Sequence, residues 1–145
     1  MGQQEAARFE KQLWMQRWLC YYCQKQMTPA IDRSGRQTPD QATRDHYIAG
    51  SKGGRRIVAC CDRCNNLKGD WGAERFTRLV RELLENPQID AMWHANIVGL
   101  TAILRRIITI ERWKEMQRKK PNHYRQTRIN EEVRTTLRLI KALKP

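Results

Sequence analysis

Two matched cysteine pairs, Cys20-Tyr-Tyr-Cys23 and Cys61-Asp-Arg-Cys64, limit the fold of this chain more than any other feature. Each Cys-x-x-Cys turn can grip one metal ion from two sides, and two such turns complete a tetrahedral thiolate site. Thirty-seven residues separate the pairs, so a shared ion would tie a knuckle after the first helix to a segment far along the chain. Thiolates are soft ligands that suit Zn2+ far better than Mg2+ or Ca2+. Cys60 is left over, with three residues between it and Cys64, whereas Cys61 repeats the spacing of the first pair. Cys61 is therefore the expected ligand. The alternatives are reduced core cysteines or a redox pair, but a redox Cys-x-x-Cys needs only one pair, in a strand-helix setting.

Composition agrees with a metal-supported core. The 145 residues are 40% apolar, yet the mean hydropathy is −0.80, and small polar cores commonly need a metal as a supplement. No apolar run approaches the length of a membrane span. The opening stretch MGQQEAARFEKQ lacks the apolar centre of a signal peptide, which reads as an intracellular, cytoplasmic protein with reduced cysteines. Net charge is +13, and from Thr101 to Pro145 there are 13 Lys and Arg against 4 Glu. Such an imbalance favours a polyanion, with nucleic acid ahead of an acidic membrane surface. A well-solvated basic face is the plainer reading of charge by itself.

Apolar periodicity through Phe9, Leu13, Trp14 and Trp18 predicts a helix over 4–19. The stretch TPAIDRSGRQTPDQ reads as a loop, ATRDHYIAG as a strand, SKGG as a turn and RRIVA as a second strand, giving a hairpin. A short helix is expected over 62–69. Helices follow over 74–84, ended by Asn86-Pro87, over 89–118 with a bend near Gly99, and over 131–142. Trp93 and Trp113 fall on apolar stripes and are expected in the core. His94 and His123 are expected to serve packing or solvation rather than ligation.

A second constellation lies between the cysteine pairs. Asp45-His46 sits on the first strand, and Asn65 directly follows Cys64. The Asp carboxylate and Asn carbonyl are hard oxygen donors for Mg2+ or Mn2+, which would keep several waters or substrate oxygens. Adjacent residues of a regular strand point to opposite faces, so bringing Asp45 and His46 to one groove needs a strand end or a bulge. Ala49-Gly50 suits irregular backbone.

TRDHYIAGSKGG followed by IVACCDRCNNLKGD resembles the HNH nuclease family, in its form with four zinc cysteines around a ββα-metal core. The likeness runs from Cys20 to Asp70 and includes both cysteine pairs, the Asp-His dipeptide, the Gly-Gly turn and the C-N-x-x-K-G run. It implies an α+β, treble-clef-like core over residues 1–72 that includes an N-terminal helix, with a basic helical extension over 73–145. It implies structural zinc on Cys20, Cys23, Cys61 and Cys64, and a catalytic Mg2+ or Mn2+ on Asp45 and Asn65. His46 would be the general base in hydrolysis of DNA to 5′-phosphate and 3′-hydroxyl ends. Arg44, Arg63 and Lys68 would meet backbone phosphates of duplex or branched DNA. Phage junction-resolving endonucleases and many phage or prophage HNH proteins share this layout. Two positions depart from the pattern: Arg56 stands where the family often has Asn, and Ala49 where Pro is common.

Residues 71–145 carry no further motif. Arg105, Arg106, Arg118, Lys119 and Lys120 could anchor the core on DNA, or the helices could form a homodimer or dock a phage packaging partner. A zinc-stabilised nucleic-acid-binding module without catalysis, and a protein-interaction adaptor, are the competing functions.

Overall fold

The computed structural model describes residues 2–29, 38–46, 56–69 and 71–143. Within them run α1 (Gln3–Met15), β1 (Ala42–His46), β2 (Ile57–Cys61), α2 (Asp62–Lys68), α3 (Ala73–Leu84), α4 (Pro87–His94), α5 (Leu100–Lys119) and α6 (His123–Ala142). This is the expected α+β class, with one two-stranded antiparallel sheet among the described residues. The SKGG turn, Ala49-Gly50 and most of the TPAIDRSGRQ loop lie outside the described residues. The chain divides into two compact units, Met1–Asp90 and Ala91–Pro145.

In the first unit, α1 stops four residues short of the expected Leu19. Arg17 and Trp18 adopt left-handed backbone, with φ 55° and 59°, and Trp18 N–H closes back on Leu13 O at 2.9 Å. That reversal ends the helix with backbone bonds instead of a glycine and leads straight into the first cysteine turn. There Gln24 N–H bonds Cys20 O at 3.0 Å, and Gln24 has φ 64°.

β2 is apolar along its length and is buried from Val58 to Cys61. One edge pairs with β1 in the register Ala42↔Cys61 to His46↔Ile57. On its other side the Gln16 side chain imitates a peptide unit, its Nε2 donating to Ala59 O at 2.7 Å and its Oε1 accepting from Ala59 N–H at 2.9 Å. Ala59 is fully buried, and an orphaned buried donor costs about 1–3 kcal/mol. Gln16→Ala is therefore expected to lower stability by about 2–3 kcal/mol, read as a shift in the urea midpoint of the metal-loaded protein. An unchanged midpoint would show that this pairing contributes nothing.

α3 belongs with this unit because Phe76, fully buried, packs edge-on against Tyr22 with ring centroids 5.2 Å apart. Asn86-Pro87 ends α3 as expected, and it also starts α4. The Asn86 side-chain oxygen accepts from Gln88 N–H at 2.9 Å, and Pro87 occupies a first-turn position where a missing N–H does no harm.

In the second unit the bend expected near Gly99 is a full interruption. α4 ends at His94, Asn96 and Gly99 take positive φ, and a new helix begins at Leu100. α6 starts at His123, eight residues earlier than its apolar pattern suggested, because the Asn122 side chain caps it through Arg125 N–H at 3.0 Å. Met92 of α4, Leu100, Ile103, Leu104, Ile108 and Ile110 of α5 and Ile129 of α6 are buried apolar residues here. Arg106 pairs with Glu132 at 2.5 Å. Trp93 is buried as expected; Trp113 is only half-buried and carries the Arg128 guanidinium 5.5 Å above its ring. Among the described residues no helix is long and apolar enough to cross a membrane.

Candidate metal centre

The four cysteines converge. Cys20, Cys23, Cys61 and Cys64 are all buried, and their sulfur atoms lie within 4.8 Å of one another, with Cys23 and Cys61 at 3.9 Å. A tetrahedral ion with metal–sulfur bonds of about 2.3 Å requires sulfur–sulfur edges of about 3.8 Å. The thiol cluster is thus close to coordination geometry and can hold a structural metal ion such as zinc. Cys61 ends β2 and caps α2, its sulfur accepting from Cys64 N–H at 3.4 Å. One tight turn therefore presents both sulfurs of the second pair.

The thiols share protons and charge unequally. Burial raises Cys20, but hydrogen bonds from Cys23, Cys61 and Cys64 outweigh it and leave its pKa well below the ordinary thiol value. Cys61 is pushed up, chiefly by hydrogen bonding to the Cys20 and Cys23 sulfurs, and Cys64 is pushed up by burial first. A metal that binds all four as thiolates must displace the protons these two retain.

Cys60 faces away from the cluster. It is fully buried, its sulfur is 3.5 Å from Thr43 Oγ1, and burial raises its pKa far above the ordinary value. Cys60→Ser is expected to keep the full metal content, whereas Cys61→Ser loses it. Metal-to-protein stoichiometry after gel filtration decides the point, and loss of metal from Cys60→Ser would exchange the two roles.

Arg63 and Lys68 correct the sequence reading. Both were expected to reach DNA phosphates, but Arg63 is 3% and Lys68 1% exposed. Arg63 lies beside Cys61, Cys64 and Cys23; burial lowers its pKa and the thiolate charge opposes that shift. Four thiolates around a divalent ion carry a net charge of −2, and the Arg63 guanidinium compensates part of it. Arg44 is only partly exposed and pairs with Glu5 of α1 at 3.0 Å. That contact also lowers the Glu5 pKa, through the hydrogen bond first and the charge second.

Side chains alternate along β1, so Thr43 and Asp45 share one face while Arg44 and His46 share the other. The Thr43–Asp45 face meets α2. Asn65 Nδ2 donates to Thr43 Oγ1 at 3.2 Å, and Lys68 Nζ lies 3.3 Å from Asp45 Oδ2. Asn65 and Lys68 are three apart on α2 and so project to one side. Asp45 and Asn65 are therefore turned to a common face, and His46 is not brought beside them. His46, the last residue of β1, is exposed and follows a regular register without a bulge up to that point.

Sequence reasoning missed Tyr22. Lying inside the first Cys-x-x-Cys, it reads as filler, yet it is fully buried and its hydroxyl donates to Asp45 Oδ2 at 2.5 Å. Burial, and then that bond, raise the Tyr22 pKa far above the ordinary phenol value, so the hydroxyl is a permanent donor. For a hard divalent ion the Asp45 and Asn65 oxygens are suitable donors. The charge of Asp45, however, is already balanced by Lys68. No family model, curated protein or solved structure matches the chain, so this arrangement alone carries the functional argument.

Proposed function

We propose that the chain is a zinc-stabilised, metal-dependent DNA endonuclease of the HNH type, hydrolysing phosphodiester bonds to 5′-phosphate and 3′-hydroxyl ends. The observation that carries this reading is a four-thiol frame built on the same β1–β2–α2 unit that turns Asp45 and Asn65 to one face, with His46 exposed at the end of β1. Zinc suits the thiols as a closed structural ion. Asp45 and Asn65 would hold Mg2+ or Mn2+, which when bound supplies Lewis-acid stabilisation of charge on the phosphate.

His46 takes the proton from the attacking water; imidazole is the side chain best matched to that exchange near neutral pH. Its exposure leaves it open to water and substrate. Thr43 steers the Asn65 amide by accepting from its nitrogen, and Tyr22 fixes the Asp45 carboxylate. The basic residues of α5 and α6 supply the sequence-independent attraction to a DNA backbone. A homodimer would allow paired cuts across a duplex, and a phage packaging protein is a partner consistent with the HNH resemblance.

Incubating supercoiled plasmid with the protein and Mg2+ or Mn2+ tests the proposal. Nicked or linear product that His46→Ala does not form is the expected result, and equal behaviour of the two proteins removes the catalytic role.

A second reading has one observation in its favour. Asp45 engaged by Tyr22 and Lys68 is a brace that a non-catalytic, zinc-stabilised nucleic-acid-binding module would also have. Under it, the protein binds DNA in a salt-sensitive manner and cuts nothing.

A further inference from the structure

We propose that Lys68 is a resident counter-ion that must leave Asp45 before a divalent cation binds there, so that metal entry exchanges one cation for another. The inference rests on the reading of Asp45 and Asn65 as ligands of a hard divalent ion. It starts from an unusual enclosure: the Lys68 side chain is 1% exposed and the Asp45 side chain 13%. Lysine is almost never so buried unless paired, and among the described residues Asp45 is the carboxylate that pairs with it. Tyr22 donates to the same Oδ2, so that oxygen meets both a hydroxyl and an ammonium.

A divalent ion on Asp45 with Lys68 in place would set three positive charges against one carboxylate. Water is largely shut out there, so solvent screens that repulsion weakly. The two cations therefore exclude each other. Lys68 is well placed to yield. It is the last residue of α2, followed by Gly69 at φ 53°, and its ammonium sits on a flexible four-carbon stem. Swinging out breaks no helix interior. With the metal absent, the pair keeps a buried carboxylate neutralised, so the fold does not depend on the catalytic ion. With Lys68 removed, the uncompensated carboxylate is destabilising and attracts a cation.

The zinc-loaded chain is titrated with Mn2+ alone by calorimetry. Lys68→Met is expected to bind Mn2+ at least tenfold more tightly than wild type, and to gain more in Tm from saturating Mn2+. Adding Asp45→Asn to Lys68→Met is expected to abolish that gain. Mn2+ affinity of Lys68→Met equal to or below wild type overturns the proposal, as does a gain that survives Asp45→Asn.

Should Lys68→Met fail to fold, the wild type decides. Lys68 should resist a small amine-acylating reagent without Mn2+ and become labelled at saturating Mn2+, read by peptide mass. Continued protection at saturating Mn2+ overturns the exchange. Plasmid nicking is scored separately. Cleavage without any gain in Mn2+ affinity removes the exchange and leaves the nuclease reading; the gain without cleavage does the reverse.

Discussion

Cys64→Ser is expected to release the structural metal and unfold the Met1–Asp90 unit. Cys64 is fully buried, and its sulfur is one of four that lie within 4.8 Å of one another and could hold a metal ion. The cluster joins the turn after α1, the end of β2 and the first turn of α2, elements whose own apolar content is modest. Structural zinc in small domains contributes about 10–16 kcal/mol of apparent binding energy, comparable to or above the whole stability of a typical domain, about 5–15 kcal/mol. Losing one ligand also leaves three buried thiols with no shared charge to satisfy. A strong chelator acting on wild type should have the same effect. Circular dichroism alone is a poor reporter, since α5 and α6 carry none of the four cysteines and supply half of the described helical residues. Hydrogen exchange in β1, β2 and α2 is the better measurement. Protection there that persists in the metal-free variant would show that the cluster does not support the fold.

His46→Ala carries the second large effect: a fall in plasmid nicking of about 10²–10⁴-fold, the usual contribution of a positioned general base. The variant is a clean test because His46 is exposed at the end of β1, so its loss leaves no cavity. Asp45→Ala would be far harder to interpret. It removes the partner of a buried lysine and of the Tyr22 hydroxyl together, and such a loss typically costs about 3–5 kcal/mol for the charge pair alone. Thermal unfolding of His46→Ala should match wild type within about 0.5 kcal/mol, as for other surface substitutions. Nicking that persists at the wild-type rate in this folded variant would leave the non-catalytic binding module as the better account.

Much of the fold was legible because its signals are local. The RRIVA segment gave a second strand, which the structure places two residues later at Ile57–Cys61, and the stripe through Phe76 and Val80 gave α3. Where the reading failed, tertiary context or capping had overridden periodicity. The residues 123–130, HYRQTRIN, carry a single aliphatic residue, Ile129, so their pattern is silent, yet the Asn122 cap starts α6 ahead of them. Trp18 looked like helix interior from its spacing with Trp14, but its left-handed backbone turns the chain towards Cys20. Gln16 had no signal at all, since one amide at the end of a helix does not announce that it will pair with a strand 43 residues away.

The spacing of Cys20, Cys23, Cys61 and Cys64 determined by itself that this chain can gather four thiols, because each Cys-x-x-Cys turn sets the separation of its own pair within a few covalent bonds. The order Asp45, His46, Asn65 likewise determined which side chains the nuclease proposal has to place. What the tertiary structure alone decided is where the charges point. α2 is seven residues long, with polar or charged groups around most of its circumference, too short and too mixed for any period to mark its buried side. Packing against β1 and the thiol cluster turned Arg63 and Lys68 inward, the first towards the cysteines and the second onto Asp45. A charge reads from sequence as something offered to solvent. Here the nearest opposite charges lie inside the protein, and attraction in a poorly screened interior places the two cations there.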